Sequence, residues 1–281
     1  MNNNVDVVIP VYNGAQFIVA ALESVVRQTL RPQQIIVIDD GSTDNTNAIV
    51  SAYAAQSSIP VRIVTKENAG LSSARNAGIR ESTADYIAFL DADDLWTPTK
   101  LAQQLQLFEH TSFSRLGLVY CDYDVINTVG NPDMESHKTK LDTSIRGKVF
   151  LALLKGNKIL SSGSGVLIKR EVFTTIGTFD ETLRYAEDWD MWLRIAKEYE
   201  VDVVPEVLVH IRRHDDNMTA DNKNVFVGET TFYKKWIPIL KKEKCPVPLK
   251  WSLKTLYRIL MRLPKTDLIK QSLPVLLVPF R

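Results

Sequence analysis

The chain has 281 residues, of which 45% are hydrophobic and 24% charged, which suffices for one large α/β domain and an appendage. Its net charge of +1 hides an asymmetry, since residues 232–281 hold 12 Lys and Arg against 2 Asp and Glu, leaving 22 against 31 elsewhere. This acidic body disfavours nucleic acid as a partner. Cys121 and Cys245 form no metal or disulfide pattern, and no signal peptide is evident, so we expect a cytoplasmic protein.

The first part of the chain alternates apolar runs with helical patterns. The runs predict four buried strands, over residues 5–10, 34–38, 61–65 and 86–90. Strands that alternate with helices predict a mostly parallel sheet covered on both faces. Ligands bind such sheets at the carboxyl ends of the strands, so we expect the functional residues in the loops there.

Turn residues and acids follow the first two strands. Pro10 and Tyr12 lie in a Pro-Val-Tyr-Asn-Gly turn, which leads into an amphipathic helix predicted over residues 15–28. Asp39 and Asp40 open an Asp-Asp-Gly-Ser sequence where the second strand meets its helix. Both loops are therefore candidates for ligand binding.

The third strand is followed by the segment Asn68–Gly78, which carries polar and small residues. Ser72 is predicted to cap a helix there. Arg75 would then lie near the start of that helix, on the side of the sheet where the strands end.

The loop after the fourth strand carries the strongest chemical signal. Asp91, Asp93 and Asp94 fall within four positions. Carboxylates this close raise one another's cost of ionisation unless a cation lies among them, and hard oxygen ligands suit Mn²⁺ or Mg²⁺. For Asp94, a solvated turn that caps the next helix is an equally good interpretation. That helix is predicted from Pro98 to about His110.

The middle of the chain shows less periodicity. A strand is predicted over residues 116–120, and the polar segment 127–146 is interpreted as a surface loop or hairpin. The glycine-rich run Ser161–Gly165 precedes another strand, over residues 166–169. Residues 127–165 are expected to shape one side of the site.

A helix is predicted to begin at Glu187-Asp188-Trp189, with its apolar residues on one face: Trp189, Trp192, Leu193 and Ala196. Its dipole would keep Asp188 ionised at neutral pH. Glu187 could simply favour the helix start. A last strand, over residues 207–213, leads to His214, with His210 nearby.

The basic tail carries an amphipathic pattern. Leucines spaced four and three apart form a stripe beside cations spaced four apart: Leu249, Leu253, Leu256, Leu260, Leu263, Lys250, Lys254, Arg258 and Arg262. This pattern predicts a helix that lies on an anionic membrane surface, so the protein would be peripheral at the inner face of the cell membrane. The alternative is that the leucines pack on the α/β domain.

Five motifs in this order resemble the family 2 glycosyltransferases with the GT-A fold: Pro10–Asn13, Asp39–Ser42, Asn68–Gly78, Asp91–Asp94 and Glu187–Trp189. The resemblance covers roughly residues 4–215. It implies a GT-A domain over residues 1–220, with a nucleotide-sugar half to about 115 and an acceptor half after it. Residues 221–281 would be a helical, basic extension.

The resemblance also implies roles for individual residues. The nucleoside pocket would comprise Pro10, Tyr12, Asp39 and Asp40. Asp93 would hold the metal, Asp91 would lie near the ribose and share in metal binding, and His214 would complete the metal shell. His210 is the weaker histidine candidate. Arg75 could contact the donor diphosphate, but an ion pair with a neighbouring acid is an equally good interpretation.

The resemblance implies an inverting reaction with Asp188 as general base. A sugar would pass from a nucleoside diphosphate donor, expected to be a UDP-sugar, to a saccharide hydroxyl on a polyprenyl-linked acceptor. The product would be a surface polysaccharide such as O-antigen. Two alternatives remain open, a sugar nucleotidyltransferase and a non-catalytic nucleotide-sugar-binding domain. A dinucleotide-dependent dehydrogenase is disfavoured because the first strand is not followed by Gly-x-Gly-x-x-Gly.

Overall fold

A computed structural model describes residues 4–133, 141–214 and 222–245, with the side chains from 228 onward in the last range. The chain divides into two compact units, residues 1–217 and 218–281. The predicted boundary between a donor half and an acceptor half stays a prediction.

The first unit is built on one sheet of eight described strands. In chain order they are β1 Val5–Val11, β2 Gln34–Asp39, β3 Val61–Thr65, β4 Tyr86–Phe89, β5 Leu95–Trp96, β6 Leu116–Ile126, β7 Leu167–Lys169 and β8 Glu200–Arg212. Their order across the sheet is β3-β2-β1-β4-β7-β6-β8-β5. The four strands at one side run parallel, as does the β6–β8 pair. β7 runs antiparallel to both of its neighbours, and β5 is antiparallel to β8.

Helices connect these strands. In the first unit they are α1 Ile18–Val26, α2 Thr46–Ala54, α3 Leu71–Glu81, α4 Lys100–His110, α5 Phe150–Leu154, α6 Arg170–Ile176 and α7 Glu187–Glu198, with a short 3-10 turn over Gly163–Gly165. The predicted α/β architecture with a mostly parallel sheet is confirmed. Several boundaries differ, since α1 begins at Ile18, α4 begins at Lys100, and the strand ending near His214 already starts at Glu200.

The core forms where β1, β2 and β4 pair. Apolar residues in these strands are buried on both faces, as expected for parallel strands covered by helices. Helix α3 packs so closely on β1 that a Cβ added at Gly78 would lie only 2.1 Å from Cγ1 of Val8. This contact fixes the depth of α3 against the sheet and hence the position of Arg75, one turn earlier.

The start of α3 differs from the prediction. Gly70, not Ser72, precedes the helix, with φ of +92°, a backbone conformation that glycine adopts without steric cost. Ser72 lies in the first turn, and within the described part of the chain its buried Oγ has no hydrogen-bond partner. The sequence signal for a serine cap was therefore wrong by two positions.

The second unit contains one described helix, α8, over Asn222–Lys242, with Pro238 inside it. Its Phe232 ring contacts the rings of Tyr233 and Trp236. No helix among the described residues is long and apolar enough to cross a membrane. The leucine and cation stripes of the tail lie outside the described residues.

Candidate active site

The loops after β1 and β2 are joined by hydrogen bonds into one rim. The backbone N–H of Asn13 donates to Oγ of Ser42 at 2.9 Å, and Oδ1 of Asn13 accepts from the backbone N–H of Thr43 at 2.8 Å. The N–H of Gly14 donates to Oγ1 of Thr46 at 2.9 Å. Asn13 takes a positive φ of 52° to make these contacts. The first two predicted loops therefore lie side by side, as the parallel β1–β2 pairing requires.

The predicted nucleoside residues line this rim. Pro10 is buried in β1, and Tyr12 follows it with 53% of its surface exposed. Oδ1 of the buried Asp39 accepts from the N–H of Ser42 at 2.8 Å, and its Oδ2 accepts from Nδ2 of Asn47 at 3.2 Å. The exposed ring of Tyr12 can stack on a planar base, and the carboxylate of Asp39, fixed by two hydrogen bonds, can accept a ring N–H from such a base.

Asp40 holds a loop. Its Oδ2 accepts from the N–H of Gly70 at 2.7 Å, its Oδ1 accepts from the N–H of Ala69 at 3.1 Å, and its carboxylate forms an ion pair with Lys66. Both oxygens thus have donors from the segment that leads into α3. Asp40 therefore fixes this segment beside the rim.

Asp93 and His214 come together, although they lie far apart in the sequence. Nε2 of His214 is 3.0 Å from Oδ2 of Asp93, and the His214 ring packs on that of Phe17. Burial raises the pKa of Asp93, and the nearby charge of Asp91 raises it further. This carboxylate would therefore gain from a cation, and the predicted proximity of the histidine is present in the structure.

Asp94 is neither a solvated turn residue nor a helix cap. It is 3% exposed, its Oδ1 accepts from the backbone N–H of Arg212 at 3.0 Å, and its Oδ2 accepts from Oγ of Ser164. Burial raises its pKa well above the usual range, and the charges of Asp93 and Asp91 add to the effect. The interpretation of Asp94 as a solvated turn residue is therefore wrong, and its interpretation as a ligand stays a prediction.

Arg75 joins two of the predicted motifs. It is fully buried, its Nη2 donates to Oδ1 of Asp91 at 2.8 Å, and its Nη1 donates to Oε1 of Glu187 at 3.0 Å. Burial opposes its charge, but these two carboxylates outweigh burial and raise its pKa. The contacts support the ion-pair interpretation of Arg75. The same contacts give Glu187 a partner beyond its place at a helix start.

Replacing Arg75 with alanine should destabilise the protein by roughly 3–5 kcal/mol, because the carboxylates of Asp91 and Glu187 would lose their buried partner. Urea unfolding of both proteins measures this difference. The control is Arg27→Ala, which removes an ion pair with Glu23 at the surface. The Arg27 side chain is 70% exposed and that of Glu23 is 45% exposed. That change should cost under about 1 kcal/mol. Equal losses in the two variants would contradict the role given to Arg75.

Asp188 lies in the first turn of α7, as predicted. Its Oδ1 accepts from the N–H of Trp189 at 2.6 Å, and Nδ2 of Asn157 lies 3.4 Å from its Oδ2. Burial raises its pKa to about 7, helped by the charge of Glu187 and opposed by Arg75. Burial therefore opposes the stabilisation expected from the helix dipole, and a pKa of about 7 leaves Asp188 partly ionised at neutral pH. A carboxyl group with this pKa is suited to accept a proton near neutral pH.

His210 takes no part in this arrangement. It is paired with Leu95 in the β5–β8 ladder, and its Nδ1 contacts Oδ1 of Asp124 on the adjacent strand β6. His214 thus contacts Asp93, whereas His210 pairs with Asp124 across strands β8 and β6.

Residues that follow the fourth strand by many positions also contact the predicted site residues. Asn157 contacts Asp188, and Ser162 Oγ lies 3.4 Å from Oδ2 of Asp91. Ser164 bonds to the turn Asp91–Asp94, called the acidic turn below, and Arg212 donates to the carbonyl of Asp93 at 2.8 Å. The glycine-rich run Ser161–Gly165 was a visible signal for two of them. Asn157 and Arg212 carry no local signal, because their roles depend on residues distant in sequence.

Residues 6–177 match the sequence profile of Glycosyl transferase family 2. The chain belongs to this family. The match spans the loops after β1, β2, β3 and β4, while Asp188 and His214 lie beyond it. Family membership, predicted from the five motifs, is confirmed.

Two relatives illustrate how this family 2 glycosyltransferase compares with others. It is 34% identical over 245 residues to an uncharacterized glycosyltransferase of Rickettsia typhi, covering 85% of this chain and 72% of that one. It is 31% identical over 204 residues to the Escherichia coli enzyme WfgD, covering 71% and 72% of the two chains. WfgD is a UDP-Glc:α-D-GlcNAc-diphosphoundecaprenol β-1,3-glucosyltransferase.

A solved structure supports the fold. The mannosyltransferase PcManGT of Pyrobaculum calidifontis, in complex with GDP-Man and Mn²⁺, superimposes with a TM-score of 0.64. The superposition covers 99% of this family 2 glycosyltransferase and 81% of PcManGT, at 20% sequence identity. The predicted GT-A fold is confirmed.

Proposed function

We propose that this glycosyltransferase moves a sugar from a UDP-sugar to a hydroxyl of a saccharide acceptor carried on a polyprenyl lipid, with inversion at the anomeric carbon. The product would enter surface polysaccharide synthesis. The E. coli relative, whose name specifies UDP-Glc and a diphosphoundecaprenol-linked GlcNAc, supports this choice of donor and acceptor class.

One observation carries the catalytic part of the proposal. Arg75 bonds simultaneously to Asp91, at the end of β4, and to Glu187, at the start of α7. It therefore holds the acidic turn beside the helix that presents Asp188. The donor diphosphate would bind at the acidic turn, and the acceptor hydroxyl would approach Asp188.

The acidic turn fits a divalent cation of the Mn²⁺ or Mg²⁺ type. Within the described ranges no three His, Cys, Asp or Glu side chains are arranged to hold a metal alone. Asp93 and His214 do converge at 3.0 Å, and such cations commonly bind to one or two carboxylates together with substrate phosphates. These two residues would hold the cation, with Asp91 beside them. A cation there would neutralise charge on the leaving diphosphate.

The residues of the chain account for the remaining steps. A sugar hydroxyl is a poor nucleophile, and the carboxylate of Asp188 accepts its proton as the bond to the anomeric carbon forms. Attack from the face opposite the diphosphate inverts that carbon, so no enzyme nucleophile is needed. Tyr12 and Asp39 orient the base of the donor, and Asp40 keeps the adjoining loop in place.

The tail would bring the enzyme to its lipid-linked acceptor. The cation and leucine stripes predicted between Leu249 and Leu263 would bind anionic lipid at the inner face of the membrane. This membrane association remains a prediction.

The alternative is a non-catalytic domain that binds nucleotide sugars. To distinguish the two, the full-length protein is incubated with UDP-sugars, Mn²⁺ and polyprenyl diphosphate-linked saccharides. We expect release of UDP that depends on the acceptor, a product larger by one sugar in mass spectrometry, and an inverted anomeric configuration by NMR. Binding of UDP-sugars without acceptor-dependent release across the panel would favour the alternative.

The pKa of Asp188 sets the expected pH dependence. Because this group must be ionised to accept a proton and its pKa is about 7, kcat/KM should rise through pH 7 and level off at higher pH. The Glu187→Gln variant removes a charge that raises this pKa, so the rise should move to lower pH. A pH–rate series on both proteins measures the midpoints. If the midpoint is unchanged in the variant, the rise of kcat/KM does not report the ionisation of Asp188.

A further inference from the structure

The turn Gly163–Gly165 packs directly against the acidic turn. Ser162, just before it, has a positive φ of 52°, and a Cβ at Gly163 would lie 2.7 Å from Nη2 of Arg75. The carbonyl of Ser164 accepts from Nε1 of Trp96 at 2.8 Å. The backbone around Ser164 is therefore fixed from both sides.

The hydroxyl of Ser164 bridges the two ends of the acidic turn. Its Oγ accepts from the backbone N–H of Asp91 at 3.0 Å and donates its single proton to Oδ2 of Asp94 at 2.5 Å. The N–H of Asp94 also donates to the carbonyl of Asp91 at 3.0 Å. Ser164 is fully buried, so water does not compete for these bonds.

The bridge extends to the segment that carries His214. Oδ1 of Asp94 accepts from the N–H of Arg212, and Nε of Arg212 donates to the carbonyl of Asp93. His214 follows two residues later and meets the side chain of Asp93. Through Asp94, the Ser164 hydroxyl is thus linked to both residues proposed to hold the cation.

We propose that Ser164 is a positioning residue that sets the geometry of Asp91, Asp93 and His214 for binding the cation together with the donor diphosphate. It acts through Asp94 and touches neither the cation nor the substrate. The inference rests on the proposed function, since it assigns a role toward the cation invoked there.

Ser161 supplies a matched control three residues earlier. It is also fully buried and precedes the same turn, yet its Oγ has no hydrogen-bond partner among the residues that the structure describes. Ser161→Ala and Ser164→Ala therefore delete the same atom from similar surroundings. Only the second deletion removes a bond to the acidic turn.

The experiment measures UDP binding by calorimetry in Mn²⁺ and in EDTA, together with urea unfolding, for wild type and both variants. We expect Ser164→Ala to reduce the Mn²⁺-dependent gain in UDP affinity about tenfold, which corresponds to about 1.4 kcal/mol. Ser161→Ala should stay within about twofold of wild type. Binding in EDTA should be the same in all three proteins.

Each outcome decides the proposal. If Mn²⁺ raises UDP affinity equally in the two variants, the proposal is overturned. This holds even if Ser164→Ala lowers stability, because the role of Ser164 would then be purely structural. If Ser164→Ala does not fold, Asp94→Asn serves in its place and should show the same loss, and an unchanged gain there overturns the proposal. Should wild type itself show no gain with Mn²⁺, the cation assignment fails and this inference fails with it.

Discussion

Replacing Asp188 with asparagine is expected to slow turnover by roughly 10²–10⁴-fold while donor affinity changes little. Asparagine keeps the shape of the side chain and its contact with the N–H of Trp189, which lies 2.6 Å from Oδ1. An amide cannot take the proton from the acceptor hydroxyl. Steady-state rates and UDP calorimetry on the same preparation separate the loss of catalysis from any loss of binding.

The control for this variant is Glu198→Gln, which neutralises an exposed carboxylate at the far end of α7. It should leave both turnover and donor affinity unchanged. Near-normal turnover in Asp188→Asn would show that another residue accepts the proton. A large loss of donor affinity in that variant would instead place Asp188 in the donor pocket.

Replacing Asp93 with alanine should abolish turnover and weaken UDP binding only when Mn²⁺ or Mg²⁺ is present. The reason is electrostatic, because a diphosphate without its cation would face the remaining carboxylates of the acidic turn. Calorimetry with and without EDTA measures the effect. Wild type in EDTA should resemble the variant.

Asp85→Ala is the matched control for Asp93→Ala, since it removes an exposed carboxylate just before the other end of β4. It should bind UDP as wild type does. Full turnover of wild type in EDTA would contradict a requirement for the cation.

The strands and the location of the site could be predicted from the sequence because both depend on local pattern. Apolar runs identify β1, β2, β3 and β4 without reference to the rest of the chain. Acids placed immediately after such runs must lie at the same edge of a parallel sheet. Asp39, Asp91 and Asp93 are therefore found where the pattern placed them.

The burial of Asp94, the partners of Arg75 and the raised pKa of Asp188 could not be predicted in the same way. Burial of Asp94 depends on Ser164 and Arg212, which lie 70 and 118 positions away. The two partners of Arg75 lie 16 and 112 positions away, and the pKa of Asp188 follows from desolvation by tertiary packing. Local sequence specifies which groups are present, whereas their protonation and pairing depend on the folded surroundings.

The antiparallel direction of β7 determines which residues near the acidic turn can vary in sequence. A parallel strand brings the chain to the ligand edge and ends there, whereas the antiparallel β7 begins at that edge, so the residues just before β7 reach the acidic turn. Because that contact is made by the turn beginning at Ser162, we expect changes earlier in the stretch after β6 to leave the acidic turn in place. Under the proposed function, that stretch could adapt to different acceptors while β1, β2 and β4 keep their register.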